Sequence, residues 1–116
     1  MRFSSPLKLN HVFRRLYRKG NTAADRLLAI YCRRNGLGCN RIGLTVSAKL
    51  GHAVKRNRVR RRLREIYRLH EPMFRPGWDI VVVVRGPGLE APYAKLEQSY
   101  LSLAEKLALL ERKQTL

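Results

Sequence analysis

The residues with chemistry to offer are mostly cations. Lys55–Arg64 reads KRNRVRRRLR, seven basic residues around one asparagine, Asn57. Six of the seven are arginine, whose planar fork suits bidentate phosphate contact better than an ammonium does. Groups for acid–base or nucleophilic work are sparse. His11, His52 and His70 sit in different segments, so no Ser-His-Asp or Cys-His pair is suggested. Asp25, Glu65 and Asp79 have no near acidic neighbour, which argues against a two-metal carboxylate site. Cys32 and Cys39 match no zinc spacing. They read as free thiols of a reducing cytoplasm; a disulfide would need an oxidising compartment. No catalytic and no metal-ligating residue is assigned, and the polypeptide does not read as an autonomous enzyme.

The bulk properties agree with polyanion binding. The 116 residues carry 25 Lys and Arg against eight Asp and Glu, for a net charge of +17. Small domains ordinarily carry a charge of roughly 2–8 in magnitude. So large an excess repels itself unless a polyanion neutralises it. Nucleic acid is the first candidate and an anionic membrane the second. Wholly apolar runs such as Ile80–Val84 are far short of the ~20 residues of a spanning helix. The N-terminus has no apolar h-region. With 45% hydrophobic residues, a single domain over 1–116 can bury a core unaided.

Apolar periodicity along the chain marks the elements that must position these residues. Val12, Phe13, Leu16 and Tyr17 make an apolar stripe on a short helix starting near Asn10, and Gly20 is a natural stop. Leu27–Arg33 and Arg41–Ser47 read as strands, the second with Ile42, Leu44 and Val46 on one face, and together they suggest a hairpin with a long loop. From Gly51 to about His70 the period is helical: Val59, Leu63, Ile66, Tyr67 and His70 share a face. Asp79–Arg85 is apolar on both faces, as a central strand would be. Tyr93, Leu96, Tyr100, Leu103, Leu107 and Leu110 mark a last helix running to about Arg112. The order predicts a layered α+β domain.

On the basic helix, Val59 and Leu63 set which arginines face outward. Asn57, Arg60, Arg61, Arg64 and Arg68 fall on one flank; Lys55, Arg58 and Arg62 on the other; Arg56 lies above the stripe at the helix start. A solvated face would mix signs, yet Glu65 is the only acid between Lys49 and His70. RNA binding leads the alternatives, ahead of a DNA-binding or nuclear-import region, a bland solvated face and a membrane-surface helix. Phe13, Tyr17 and Tyr31 either pack in the core or, beside Arg14 and Arg18, line a groove that stacks unpaired bases without reading sequence.

Arg41–Arg68, RIGLTVSAKLGHAVKRNRVRRRLREIYR, resembles the signature region of the bacterial ribonuclease P protein subunit: V-S-x-K-x-G-x-A-V-x-R-N-R, more basic residues, L-R-E and an aromatic. LKLNHVFRRLYRKG is similar to that family's first helix, with Phe13 and Tyr17 at its aromatic positions, and DIVVVVRG to its last strand. Ala48 departs from a common Lys, His52 from a common Asn, and Leu27 and Leu28 from a common Phe. The resemblance implies a compact α–β sandwich: an about four-stranded mixed sheet and three helices in the order α-β-β-β-α-β-α. It also implies a left-handed β-α-β crossover through the basic helix, against the usual hand. It implies two RNA surfaces. Lys49, Lys55, Arg56, Asn57, Arg58, Arg60, Arg61 and Arg64 would face the catalytic RNA. Phe13, Arg14, Tyr17, Arg18 and Tyr31 would hold the single-stranded 5′ leader of precursor tRNA. The RNA would hold the catalytic Mg2+, with one protein per RNA in the cytoplasm and neither DNA nor membrane as partner. A basic structural ribosomal protein is the competing identity, and a DNA-binding regulator a further one.

Overall fold

The computed structural model describes Ser4–Pro6 and residues 10–111, with side chains from 14 onward. The expected four strands are present and a short fifth joins them. In chain order they are β1 (Ser4–Pro6), α1 (Asn10–Lys19), β2 (Asn21–Ala24), β3 (Leu28–Arg34), β4 (Asn40–Val46), α2 (Ala53–His70), β5 (Trp78–Val84) and α3 (Tyr93–Lys106). The sheet order is β1-β4-β5-β3-β2. β5 pairs in parallel with β4 and antiparallel with β3, so the sheet is mixed and α2 is the crossover between β4 and β5.

Sequence explains the centre. Ile80, Val82 and Val84 enter the main core with Leu28, Ile30, Cys32, Ile42 and Val46, beneath α2 and α3. Val81 and Val83 face the other way and meet Leu16 of α1 and Tyr31. A strand needing apolar residues at every position is therefore the one covered on both faces. On α2, Val59, Leu63, Ile66 and Tyr67 are buried as the helical period predicts. His70 ends the helix with Nε2 3.1 Å from Glu97 on α3.

Three expectations are corrected. β3 and β4 form no hairpin, because β5 lies between them. α3 stops at Lys106 rather than near Arg112. Ala108 takes φ 58°, the Leu109 amide donates to Ala104 O at 2.9 Å and the Ala108 amide to Glu105 O at 3.0 Å. That is a Schellman stop; it turns Leu109 into the core and pairs Leu110 with Phe74. Gly20 does follow α1, but not through a left-handed backbone. A Cβ there would lie 2.6 Å from Leu16 O and 3.0 Å from Cys32 O, so the close approach of helix to sheet demands glycine. Cys32 and Cys39 are free, and burial raises the Cys32 thiol pKa to about 11.

Candidate RNA interface

α2 presents two unlike flanks. On the flank toward α3 the cations are engaged by the protein itself. Lys55 Nζ lies 2.7 Å from Glu90, and Arg62 donates to Ala91 O at 3.1 Å. At the helix start Arg56 Nε donates to Gly51 O at 3.1 Å. These bonds fix α2 against the segment leading into α3. They also leave Lys55 and Arg56 less available than a bare charge run suggests.

The flank facing away from α3 differs. Val54, Asn57, Arg60, Arg61 and Arg64 line an open groove of about 620 Å³ with no carboxylate among them. Arg60 donates to Asn57 Oδ1 at 3.1 Å, one helical turn away. An asparagine carbonyl can hold a guanidinium in place without cancelling its charge, which neither Asp nor a further Arg would do. Arg61 and Arg64 are exposed and make no ion pair among the described residues; Arg58, on the Lys55 flank, is exposed with Glu90 close enough to feel its charge. The only acid on the helix, Glu65, is held by Arg68, which depresses its pKa. Lys49 stands apart, exposed on the 3-10 turn before α2, its amide capped by Ser47 Oγ at 3.3 Å.

The other candidate surface lies on the opposite face of the sheet. Leu16, 1% exposed, anchors α1 on Val81. Its neighbour Tyr17 is 43% exposed. The rings of Tyr17 and Tyr31 meet edge to face, 5.0 Å between centroids at 85°. The Tyr17 hydroxyl is 3.3 Å from Thr45 Oγ1. Since β5 separates Tyr31 on β3 from Thr45 on β4, Tyr17 spans the middle of the sheet. Arg14 and Arg18 are exposed beside it on α1. The Phe13 side chain lies outside the described residues.

Sequence reasoning missed Thr45 here. Its alternation with Ile42, Leu44 and Val46 places it on the α1 face, but only the strand order brings it to Tyr17. It also missed the pairing of Asp79, which is buried and accepts from Arg41 Nε and Nη2, both at 2.7 Å, and from Asn35 Nδ2 at 3.1 Å. Arg41 and Asp79 are register partners on β4 and β5. Among the described residues no three His, Cys, Asp or Glu gather to hold a metal ion, and no helix is long and apolar enough to cross a membrane.

An acid-free arginine groove on one layer and an exposed aromatic pair beside arginines on the other make this a small, strongly basic α+β sandwich protein. The family model described as Ribonuclease P matches residues 1–108. The chain is 43% identical over 108 residues to the ribonuclease P protein component of Caldanaerobacter subterraneus subsp. tengcongensis, covering 93% of each. It is 42% identical over 110 residues to that of Alkaliphilus metalliredigens, covering 95% of this chain and 99% of the relative. The solved RNase P protein of Staphylococcus aureus superposes with a TM-score of 0.84 at 29% identity, covering 94% of this chain and 98% of its own. That of Thermotoga maritima gives 0.77 at 27%, covering 84% and 92%. The chain belongs to the ribonuclease P protein family, the protein components of a tRNA-processing endoribonuclease.

Proposed function

We propose that this chain binds the catalytic RNA of ribonuclease P through the α2 groove. It holds the single-stranded 5′ leader of precursor tRNA in the α1 cleft, and so assists removal of that leader. The observation that carries the assignment is the division of α2. Lys55 and Arg62, toward α3, are tied to protein acceptors, while Arg61 and Arg64 in the groove make no ion pair among the described residues and Asn57 holds Arg60 outward. An RNA backbone supplies the missing anions. The cleft suits leaders of varied sequence, because a tyrosine face stacks any base and nearby arginines hold phosphate.

In this reading catalysis belongs to the RNA. On this proposal Mg2+ is held by the RNA and no chemical step passes through this chain. The chain's contribution is cationic: it lowers repulsion between two RNAs and therefore the magnesium needed to bring them together. One protein per RNA, acting in the cytoplasm, completes the proposal.

The test is reconstitution. Purified protein, ribonuclease P RNA and precursor tRNA are combined at low magnesium. Leader removal that needs both protein and RNA is the expected result. No stimulation at any magnesium level, with the protein sedimenting with ribosomes instead, would overturn it in favour of a structural ribosomal role.

A further inference from the structure

The two ends of the sheet are chemically different. Val46, Val84 and Leu28 lie at one end, by their mutual register, and the chain passes from Val46 directly into the turn that starts α2. The Arg56-Asn57-Arg58 signature therefore stands at that end. Arg34 and Trp78 are register partners at the other. Tyr31 of the cleft is three residues from Arg34 along β3, or about 10 Å.

Between cleft and far end the surface stays cationic. Arg15, Arg33, Arg34 and Arg41 line a cavity of about 130 Å³ beside Leu16, with Asp79 already neutralised by Arg41. Arg34 also lines the next cavity, about 470 Å³, with Arg75, Pro76, Trp78 and Glu111. Its guanidinium carbon sits 5.2 Å from the centre of the Trp78 ring. Cross-strand packing accounts for that contact alone. It does not account for an open cavity beside it, nor for two exposed arginines against the single acid Glu111. An indole and a guanidinium are both groups on which unpaired bases stack, and Arg75 adds a phosphate ligand.

We propose that Arg34, Trp78 and Arg75 form a second subsite for single-stranded RNA. It takes the part of the leader that leaves the Tyr17–Tyr31 cleft at the end away from the α2 signature. This rests on the leader-binding reading above and extends it: the strand runs along the α1 face from Tyr31 past Arg33, then turns over the end of the sheet at Arg34, which lines both cavities, to reach Trp78 at the edge of the other face.

The experiment uses the reconstituted holoenzyme and precursor tRNAs whose leaders lengthen one nucleotide at a time. With the unmodified protein, affinity rises as the leader fills the cleft and rises again when it reaches Trp78. Arg34→Ala with Arg75→Ala, both exposed positions, abolishes the second rise. It weakens the longest leader about tenfold and leaves the shortest unchanged. Trp78→Leu, checked by melting because the ring also touches the core, behaves alike. A folded double-arginine variant that binds long leaders as tightly as the unmodified protein overturns the subsite. So does equal loss on short and long leaders. If the unmodified protein gains nothing from any leader, the cleft itself is wrong and the subsite falls with it. A first rise without a second refutes the subsite alone.

Discussion

Replacing Tyr17 with alanine isolates the cleft's contribution. Within the protein the side chain makes an edge-to-face contact with Tyr31 at 5.0 Å and a 3.3 Å hydroxyl contact with Thr45. The first is worth about 0.5–1.5 kcal/mol, and the second is long for a hydroxyl pair, so about 0.5 kcal/mol at most. Removing both costs the fold about 1–2 kcal/mol, which leaves a domain of ordinary stability folded. The binding effect is of a different kind. A stacked base is worth ~1–3 kcal/mol, and 1.4 kcal/mol is tenfold, so affinity for precursor tRNA falls roughly 5- to 150-fold. With 43% of the residue exposed, a value near tenfold is expected, and Tyr31→Ala in addition deepens the loss. Tyr17→Phe keeps the ring and drops the hydroxyl with its Thr45 contact, so its affinity stays within about twofold. The assay is equilibrium titration of the holoenzyme with leader-bearing precursor and with mature tRNA, at fixed salt and magnesium. Equal loss for both RNAs refutes stacking, as does a Phe variant that falls as far as the Ala variant.

Arg58→Ala weakens holoenzyme assembly or metal-dependent cleavage and spares leader affinity. The log–log salt slope of assembly drops by about 0.7–0.9, the share of one phosphate that no longer has its cation, and a loss confined to leader affinity would contradict the face assignment. If Asn57 acts by holding Arg60, Asn57→Ala in an Arg60→Ala background adds nothing to the loss in RNA affinity, and additive losses would refute that. Arg41→Ala strands the buried Asp79 carboxylate with Asn35 as its remaining side-chain donor among the described residues. Urea unfolding should show a loss of about 2–3 kcal/mol, below the fully buried case because Arg41 is 26% exposed, and Asp79→Asn should restore part of it. Burial pushes the Asp25 carboxyl up, but hydrogen bonds from Ser99 and the Leu28 and Leu27 amides, with Lys106 nearby, leave it below its ordinary 3.8. A lowered folded pKa means the contribution is full above about pH 4 and is lost as pH falls through the folded value. Asp25→Asn therefore flattens the acid limb of the stability curve, and an unchanged limb would place the acid sensitivity elsewhere.

Residue patterns revealed faces more readily than neighbours. The valines of β5 marked it as a strand buried on both sides, because only a central strand needs apolar groups at every position. Nothing in them says that this strand, arriving more than thirty residues later, separates β3 from β4. Adjacent strands pair often enough to suggest a hairpin, and the long-range parallel pairing prevailed. β2 was illegible for another reason: three of its four residues are exposed and it shows no alternation. The end of α3 was misread because Leu107 and Leu110 continue a helical period that the backbone abandons. Ala108 takes a left-handed conformation that a sequence normally signals with Gly or Asn. At the candidate site, helix geometry alone separated the two flanks of α2. Which flank docks on α3 depends on a backbone acceptor, Ala91 O, and a distant Glu90, and neither leaves a mark in the local pattern.

The placement of the acids explains how a chain with +17 can keep open cationic surfaces. Asp25 joins the turn before β3 to Ser99 on α3 at 2.6 Å. Asp79 joins β5 to Arg41 on β4, Glu90 holds Lys55, and Glu97 meets His70 across α2 and α3. Each of these carboxylates sits where two elements join, and each takes up a cation or donor that the fold itself needs. Glu65 is held by Arg68 one turn along the same helix. None lines the α2 groove, and none of these carboxylates contacts Tyr17 or Tyr31. Scattered acids would have lowered self-repulsion more evenly, but they would have offered every outward arginine a partner in the free protein. An RNA would then have to displace that partner before gaining its own contact. With no acid lining the groove, its arginines are paired, among the described residues, to nothing stronger than Asn57, so RNA meets them without that competition.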